Sequence, residues 1–319
     1  MVLKAVTAAL AVASLAFGVL ALPLDAQAPR AGGPPQGAGA AGAQSGGGQS
    51  GAQGGAQGRP GGQGGRGGDA GRGRGAAAPA PPVRRLPDGK PNLQGVYMAE
   101  PGGANYGLER RTPADPMTPR TRGVVVDPPD GILPLQPWAR QEVANRERPE
   151  RGYDDPTAHC FVAGVPRSMY VPSPMQILQP PGYVVILHER MSWRIIPIGG
   201  KHELPDHVRL WQGDSIGRWD GDTLVVESKN FNGKTWLNEV GDMTSHALTV
   251  VERFTPVNAR RIDYTATLTD PVVYTRPFTI AFPLNLQDDE LLEVACLEDD
   301  QDLKHLKDVK DEFEKSQKK

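Results

Sequence analysis

The sequence predicts an all-β fold, either an antiparallel barrel or a sandwich, with one mid-chain helix and one C-terminal helix. The first observation is the segment Trp211–Glu227, which reads as a strand, an Asp220-Gly221 turn and a second strand. Asp-Gly between apolar runs favours a hairpin, because a type I′ turn needs positive φ at both central residues. The second observation is Ile262–Leu268, where apolar and polar residues alternate with a period of two. The third is that about ten such stretches follow one another between turn residues, which is typical of a barrel or sandwich.

The other strands are predicted from short apolar runs bounded by Gly and Pro. Gly95-Val96-Tyr97 lies in the first run, Pro180-Pro181-Gly182 separates two runs in mid-chain, and Gly199-Gly200 follows another. In chain order the predicted strands are 93–98, 122–127, 175–179, 183–188, 193–198, the two strands of the Asp220-Gly221 hairpin, 248–254, 262–268, 272–282 and 291–297.

The mid-chain helix is predicted over Pro134–Arg148. Pro137 suits an early helical position, Trp138 and Val143 give the helix an apolar side, and Pro149 ends it.

The C-terminal helix is predicted because apolar residues recur every three to four positions among Lys, Asp and Glu. Its expected N-cap is Asp299 or Asp300. We expect it to pack on the outside or the mouth of the barrel. The recurring apolar residues are Leu303, Leu306, Val309 and Phe313.

Four segments are predicted along the chain. Residues 1–26 resemble a secretory signal peptide, because Lys4 precedes the apolar run Ala5–Leu22 and Leu24-Asp25-Ala26 fits a cleavage site. A retained membrane anchor is the alternative, although the run ends before the roughly 20 residues of a spanning helix. Residues 27–83 are a linker rich in Gly, Ala, Gln and Arg, whose composition predicts disorder. The β domain is predicted over 84–307 and a polar helical tail over 308–319.

The charge distribution bears on partners and location. The chain carries 35 Lys and Arg against 37 Asp and Glu, a formal net charge of −2. Because the linker is almost entirely positive, the folded part is the more acidic one, which argues against a nucleic-acid partner. Arg-Gly tracts can bind RNA, but a flexible spacer is the favoured interpretation behind a signal peptide. We therefore predict a bacterial protein of the periplasm or the exterior, monomeric and without a stable membrane span after signal cleavage.

The chain contains two cysteines, Cys160 and Cys296. In an exported protein such a pair predicts a disulfide, to which the chain-entropy model assigns about 4–5 kcal/mol for so long a loop. Two buried thiols or a catalytic cysteine are the alternatives. The adjacent His159 does not favour catalysis, because neighbours on an extended chain point to opposite faces.

Six motifs occur along the folded part of the chain: PDGKPNLQGVY, YDDPTAHCFVAGVPR, PMQILQPPGYVVILHE, GDSIGRWDGDTLVVES, FNGKTWL and HALTVVERF. Together they resemble a family of secreted bacterial proteins of unknown function. The resemblance spans about residues 86–306, is specific only in combination, and carries no activity with it. Tyr97 and Phe278 depart from it, since Trp is more usual at both places. More loosely, Gly95-Val96-Tyr97 resembles the start of lipocalin-like (calycin) barrels, a likeness of fold alone.

Aromatic residues concentrate between positions 183 and 236. Large amphipathic rings stack on planar ligands, so these residues are candidates for a small-molecule site, with a barrel core as the alternative. In a small barrel the interior is either filled by side chains or holds one ligand. The candidates for ligand binding are Tyr183, Trp193, Trp211, Trp219 and Trp236.

Ionisable residues lie in the same span and form the candidate catalytic set. Asp214 beside Trp211 has no evident turn or pairing role, and His246 or His188 is the expected acid–base partner. Arg218 is a candidate anion stabiliser, with a cross-strand ion pair as the alternative. A zinc site around His188, His202 and His207 is a further alternative, but no motif specifies it, and we predict neither a metal nor a cofactor.

Two functions follow from these patterns. The first is an exported β-barrel that binds a small apolar or aromatic molecule. The second is an envelope enzyme, a hydrolase, lyase or isomerase, that uses His and Asp in an aromatic-lined pocket. A structural surface protein that the Gly/Arg-rich linker holds away from its partner is a third alternative.

Overall fold

The computed structural model of the chain describes residues 79–111, 120–190, 192–202, 204–296 and 301–318. The predicted signal peptide and nearly all of the predicted linker lie outside the described residues, and both stay predictions.

The described residues contain ten β-strands and two α-helices, and the strands correspond to ten of the eleven predicted stretches. Helix α1 begins at a proline, Pro137, and lies within the predicted helical segment. The strands are β1 (Gly95–Ala99), β2 (Val125–Asp127), β3 (Met175–Leu178), β4 (Tyr183–His188), β5 (Ser192–Pro197), β6 (Asp214–Asp220), β7 (Thr223–Lys229), β8 (Thr249–Asn258), β9 (Arg261–Thr269) and β10 (Phe278–Gln287), and the helices are α1 (Pro137–Arg146) and α2 (Gln301–Gln317).

The strands form a nearly closed antiparallel barrel, so the predicted fold class is confirmed. Nine strands follow one another around the wall in the order β5-β4-β3-β1-β10-β9-β8-β7-β6. β2 pairs with the first residues of β10, beyond the part of β10 that pairs with β1. The end strands β5 and β6 run parallel and meet through a bridge between Ile198 and Gly217.

The end of the chain departs from the predicted strand pattern. β10 begins at Phe278 rather than at position 272, because the carboxylate of Asp270 accepts from the amides of Val272 and Val273 and holds a turn there. It then runs on to Gln287. The prediction of a strand over 291–297 is wrong for the described residues, which contain no strand after Gln287.

The Asp-Gly hairpin is present, but its turn differs from the predicted one. Asp220 pairs with Thr223, so the two loop residues are Gly221 and Asp222. Of these two only Gly221 has positive φ, at +58°. This pattern fits a type II′ turn, in which glycine occupies the first central position.

The barrel core is a cluster of Tyr and Phe rings rather than of indoles. Tyr264 lies 5.1 Å from Phe254 and 4.9 Å from Phe282, measured between ring centroids. Tyr170 packs edge-on against Phe282 at 5.8 Å. All four are buried, with Ile, Leu and Val side chains of the same strands around them.

The two ends of the barrel are covered differently. At the end formed by the tight turns, Arg85 of the lead-in segment pairs with Asp222 at 2.7 Å. At the other end, residues 165–171 are buried, and the hydroxyl of Tyr170 donates to the carbonyl of Leu237 at 2.7 Å. There Arg167 and Asp155 form a buried ion pair at 2.8 Å that joins two loops.

The predicted disulfide between Cys160 and Cys296 is present, with a Cα–Cα distance of 5.9 Å. It ties the segment before α2 to the short 3-10 turn over Pro156–His159. α2 confirms the C-terminal helix, while its expected N-cap lies outside the described residues. Helix α2 contacts mainly the 3-10 turn over Pro149–Asp154, where Lys310 pairs with Asp154 at 2.6 Å.

Candidate functional site

The outer surface of β4 and β5 is apolar and exposed. Side chains alternate along a strand, so Trp193 and Ile195 face outwards while Arg194 between them faces inwards. The exposed fractions are 64% for Trp193, 58% for Ile195 and 47% for Tyr183 of β4. Large apolar side chains exposed together in this way are typical of binding surfaces.

Strand register makes this surface continuous. Each outward residue of β5 lies directly opposite an outward residue of β4, and Leu178 of β3 lies opposite Val185 in the same layer. We call this surface the aromatic platform. It consists of Leu178, Tyr183, Val185, Leu187, Trp193, Ile195 and Pro197.

The platform borders the seam between β5 and β6. A Cβ atom at Gly217 would lie 2.7 Å from Cδ1 of Ile198, so glycine is what allows the two strands to approach at their bridge. Nearer the loop-covered end, Gln212 spans the seam, and its Nε2 donates to the carbonyl oxygen of Trp193 at 2.9 Å. The backbone of Trp193 is therefore held from across the seam.

A histidine with two carboxylates lies beside the platform, on the outer surface of β6 and β7. Nδ1 of His202 is 2.9 Å from Oδ2 of Asp214, and its Nε2 is 3.8 Å from Oε1 of Glu227. Nε2 is buried and makes no hydrogen bond within the described part of the chain. The parallel bridge places Asp214 level with Ile195 across the seam. An imidazole whose orientation is fixed by a carboxylate therefore stands at the edge of the platform.

A stacked pair of aromatic rings joins the connection between β5 and β6 to the loop that follows Cys160. Trp211 stacks on Phe161 with ring centroids 4.8 Å apart and an interplanar angle of 14°. Phe161 directly follows Cys160, so the disulfide fixes one ring of the pair. Trp211 directly precedes Gln212, which is bonded to Trp193.

Behind the platform, the barrel interior contains a buried ion pair. Arg194 donates through both terminal nitrogens to Glu252, at 3.0 and 2.5 Å, and the side chains are 2% and 0% exposed. The hydroxyls of Ser215 and Ser228 accept from Arg194 at 3.2 and 3.3 Å. The hydroxyl of Tyr264 donates to Glu252 at 2.9 Å. Arg194 therefore links β5 to three strands on the far side of the seam.

Burial sets the protonation of the neighbouring groups. It lowers the pKa of His188 to about 3, and the positive charge of Arg194 adds to this effect. His188 is thus neutral at pH 7, and its buried Nε2 has no partner in the described residues. Burial also raises the pKa of Tyr264 well above its usual range, with the charge of Glu252 acting in the same direction. Tyr264 therefore stays a hydrogen-bond donor.

The predicted catalytic residues do not meet. Asp214 contacts His202 rather than His188 or His246, since His188 faces the interior and His246 is exposed in the turn that precedes β8. Arg218 is exposed on the outer surface, and its side chain makes no hydrogen bond or ion pair within the described residues.

The predicted aromatic residues occupy different environments. Trp193 and Tyr183 lie on the platform, and Trp211 is on the connection beside it. Trp219 packs partly against the core beneath Lys90, whose Nζ is 5.9 Å from the ring centroid. Trp236 is buried against Arg146 at 5.2 Å.

Sequence reasoning missed the pair of Arg194 with Glu252, and it considered His202 only as a zinc ligand. For Glu252 a signal exists, because it shares one face of its strand with Val250 and Phe254, where an apolar residue is expected. For Arg194 there is none, because Trp193 and Ile195 make the opposite face of its strand the more apolar one. His202 lies on an irregular connection, and no periodicity predicts its contact with Asp214.

None of the helices in the described residues combines the length and apolar composition that crossing a membrane requires. Within the same residues no group of three or more His, Cys, Asp or Glu side chains is arranged to hold a metal ion. No family model matches the chain, and no curated protein or solved structure matches it. The resemblances to a secreted bacterial family and to lipocalin-like barrels therefore stay predictions.

Proposed function

We propose that this protein binds a small molecule with an apolar or aromatic body, and that the aromatic platform is the binding surface. The observation that carries the proposal is the exposure of Trp193, Ile195 and Tyr183 on one continuous face. Covering apolar surface is favourable by about 25 cal/mol for each Å². Trp and Tyr rings also supply a large contact area at little cost in conformational entropy.

The support beneath the platform favours recognition by a rigid surface. β5 is held from inside by Arg194 and Glu252, and from the side by the bond from Gln212 to Trp193. A surface that is already ordered loses little freedom on binding. The interior is a less suitable place for the ligand, because the Tyr and Phe rings there pack against one another.

The polar border of the platform suggests what the ligand carries. His202 and Asp214 stand level with Ile195, so a bound molecule that covers Ile195 would bring its polar group towards them. An imidazole can donate or accept a hydrogen bond. We therefore expect a ligand with one hydroxyl, carbonyl or amine at the end of its apolar body.

The test combines ligand recovery with a neutral probe. Native mass spectrometry of protein purified from its own host is expected to show a co-purified small molecule. In a fluorescence titration with N-phenyl-1-naphthylamine, Trp193→Ala is expected to weaken binding about tenfold or more, which corresponds to ~1.4 kcal/mol.

The matched control is Trp138→Ala, which removes another exposed tryptophan, one that lies on α1 away from the platform and is 47% exposed. It is expected to leave the affinity unchanged. Equal losses of affinity in both variants would refute the proposal. So would a dimer in analytical ultracentrifugation that Trp193→Ala dissociates, because a second copy of the chain would then cover the platform.

A second candidate function is acid–base catalysis, and the contact of His202 with Asp214 is the observation that favours it. A carboxylate at Nδ1 fixes the ring and leaves the buried Nε2, 3.8 Å from Oε1 of Glu227, as the nitrogen for proton transfer. The expected result is hydrolysis of 4-nitrophenyl acetate that His202→Ala removes. His246→Ala, at an exposed histidine, is the control and is expected to retain the activity. Hydrolysis equal in both variants would exclude this candidate.

We also propose that the protein is exported to the periplasm or the exterior. The disulfide supports this, because such bonds persist in oxidising compartments. Fractionation of the host followed by N-terminal sequencing is expected to find a chain that begins at or next to position 27. Recovery of the full chain, with free thiols, from the cytoplasm would contradict export.

A further inference from the structure

Away from the platform lies a shallow hollow of about 600 Å³, and four of its six described lining residues are arginines. Arg110, Arg120 and Arg122 are exposed and Arg111 is partly buried. We call this place the arginine hollow. Its described lining residues are Gly102, Arg110, Arg111, Arg120, Thr121 and Arg122.

Backbone pairing forces two of these charges together. The amide and carbonyl of Arg111 bond to the carbonyl and amide of Thr121, at 3.1 and 3.2 Å, and Val124 bonds to Leu108 in the same register. Arg110 therefore lies directly opposite Arg122. Like charges at opposed positions of an antiparallel pair are destabilising.

The protein does not neutralise this charge within its described residues. Arg111 pairs with Glu147. The side chains of Arg110, Arg120 and Arg122 make no hydrogen bond or ion pair there. Among the other exposed arginines of the described residues, Arg209 and Arg218 also have no such partner, whereas six lie within 4 Å of a carboxylate oxygen, namely Arg85, Arg140, Arg148, Arg260, Arg261 and Arg276.

A generally basic surface does not explain the cluster. Residues 79–319 carry 29 Lys and Arg against 35 Asp and Glu. Three arginines with no partner in the described part of the chain thus form a local positive field on an acidic body.

The backbone around the hollow is fixed. Gly102 has φ of +59°, its carbonyl accepts from the amide of Arg122 at 2.8 Å, and a Cβ there would lie 3.0 Å from Cβ of Arg122. Gly103 has φ of +94°, and a Cβ there would lie 2.5 Å from the carbonyl oxygen of Arg120. The hydroxyl of Thr121 is bonded to the carbonyl of Glu109. Only glycine permits this close approach of the two backbone segments, so the backbone positions from which the arginine side chains extend are fixed.

We infer that the arginine hollow binds a phosphate group carried by a small molecule or by a lipid head group. Guanidinium forks bind phosphate oxygens through paired, charge-assisted hydrogen bonds. Three unpaired cations match a dianion with several oxygens better than a single carboxylate. The hollow also has room beyond the phosphate itself for the group that the phosphate is attached to.

The test uses the full-length protein in isothermal titration calorimetry at low and high salt. The ligands are inorganic phosphate, glycerol 3-phosphate, and vesicles of phosphatidylcholine with or without phosphatidic acid. Binding of glycerol 3-phosphate alone indicates a soluble ligand, whereas binding only to vesicles that contain phosphatidic acid indicates a lipid head group. Arg122→Gln is expected to lower the affinity about tenfold or more, as for the loss of a hydrogen bond between charged groups.

A matched control is Arg218→Gln, which removes an exposed arginine of β6 that has no partner among the described residues. It is expected to bind phosphate as the wild type does. The thermal midpoint gives a second readout, because Arg110→Gln relieves the repulsion and is expected to raise the midpoint of the ligand-free protein while abolishing the rise caused by phosphate.

Three results would overturn the inference. They are equal losses in Arg122→Gln and Arg218→Gln, no binding of any of the four ligands, and tighter binding of single-stranded DNA than of glycerol 3-phosphate. Because N-phenyl-1-naphthylamine is neutral, its binding at the platform is expected to be the same in Arg122→Gln and wild type, so this test stands apart from that of the proposed function.

Discussion

The buried ion pair between Arg194 and Glu252 makes the stability of the barrel depend on a single side chain. Removing one member of a buried pair leaves the other charge without compensation, which costs about 3–5 kcal/mol. We expect Arg194→Met to lower the free energy of unfolding by about that amount at pH 7. Urea denaturation measures it.

The control lies in the same sheet. Arg253 pairs with Asp220 at 2.9 Å, but the two side chains are 42% and 53% exposed. Such exposed pairs contribute about 0–1 kcal/mol, so Arg253→Met should change stability little. The double variant Arg194→Met with Glu252→Leu should recover part of the loss, and a double variant as unstable as the single one would contradict this account.

His188 makes stability depend on pH. Its pKa is lowered to about 3 by burial and by Arg194, while the unfolded chain has a value near 6.5. Between these two pKa values the unfolded state binds a proton on His188 that the folded state does not bind. The free energy of unfolding therefore falls as the pH drops from about 6.5 towards 3, by at most about 1.4 kcal/mol for each pH unit.

The measurement is the difference in unfolding free energy between wild type and His188→Leu at several pH values. A difference is needed because burial raises the pKa of Asp242 to about 6, and that group is stabilising at low pH and loses its contribution as the pH rises through 6. His246→Leu, at an exposed position, should leave the slope unchanged. A slope that His188→Leu does not alter would show that another group titrates.

Residue-level prediction succeeds where covalent chemistry or alternation decides the outcome. The pairing of Cys160 with Cys296 follows from there being only two cysteines. The partner of Asp214 could not be predicted, because His202 reaches it from a connection without periodic structure. Alternation does predict that Trp193 and Arg194 face opposite sides, but apolar-inward patterning would turn Trp193 to the interior, so its outward direction could not have been predicted.

At the scale of elements, strands with alternating or apolar patterns were predictable and their limits were less so. β8 and β9 carry their own signal in sequence. The segment after Gln287 has the composition of a strand, but the described residues provide no neighbouring strand for it. Pairing partners are a property of the whole sheet, and a local pattern cannot report them.

The attachment of α2 depends on the disulfide together with a few polar contacts. Lys310 pairs with Asp154 and lies over the ring of Tyr153 at 5.3 Å, and Arg148 lies over Phe313 at 5.0 Å. These contacts are partly exposed and weak on their own. We expect the variant Cys160→Ser with Cys296→Ser to increase amide hydrogen exchange in 301–317 by tenfold or more, about 1.4 kcal/mol, with little change in β8–β10.

Mass spectrometry of peptic fragments measures this exchange. The variant Lys304→Ala serves as the control, because its pair with Asp308 lies within the exposed face of α2. Unchanged exchange in 301–317 after loss of the disulfide would show that the packing contacts suffice.

At the scale of the molecule, the barrel wall is not equally strong all round. β8, β9 and β10 pair along most of their length, whereas β5 and β6 meet at one bridge. Local opening should therefore begin at the seam. We expect the amides of β5 and β6 to exchange faster than those of β8–β10, and equal protection would mean that the barrel opens only as a unit.

The number of strands in the wall explains why the seam exists at all. When neighbours alternate in direction around a ring, an odd count must leave one adjacent couple pointing the same way. A tight hairpin cannot join such a couple, so the chain crosses the height of the barrel on its exterior between positions 198 and 213 before starting β6. This strap carries Trp211, Gln212 and His202, and its length is not dictated by any ladder of hydrogen bonds. Insertions and deletions within it can reshape the margin of the platform while every strand keeps its partner.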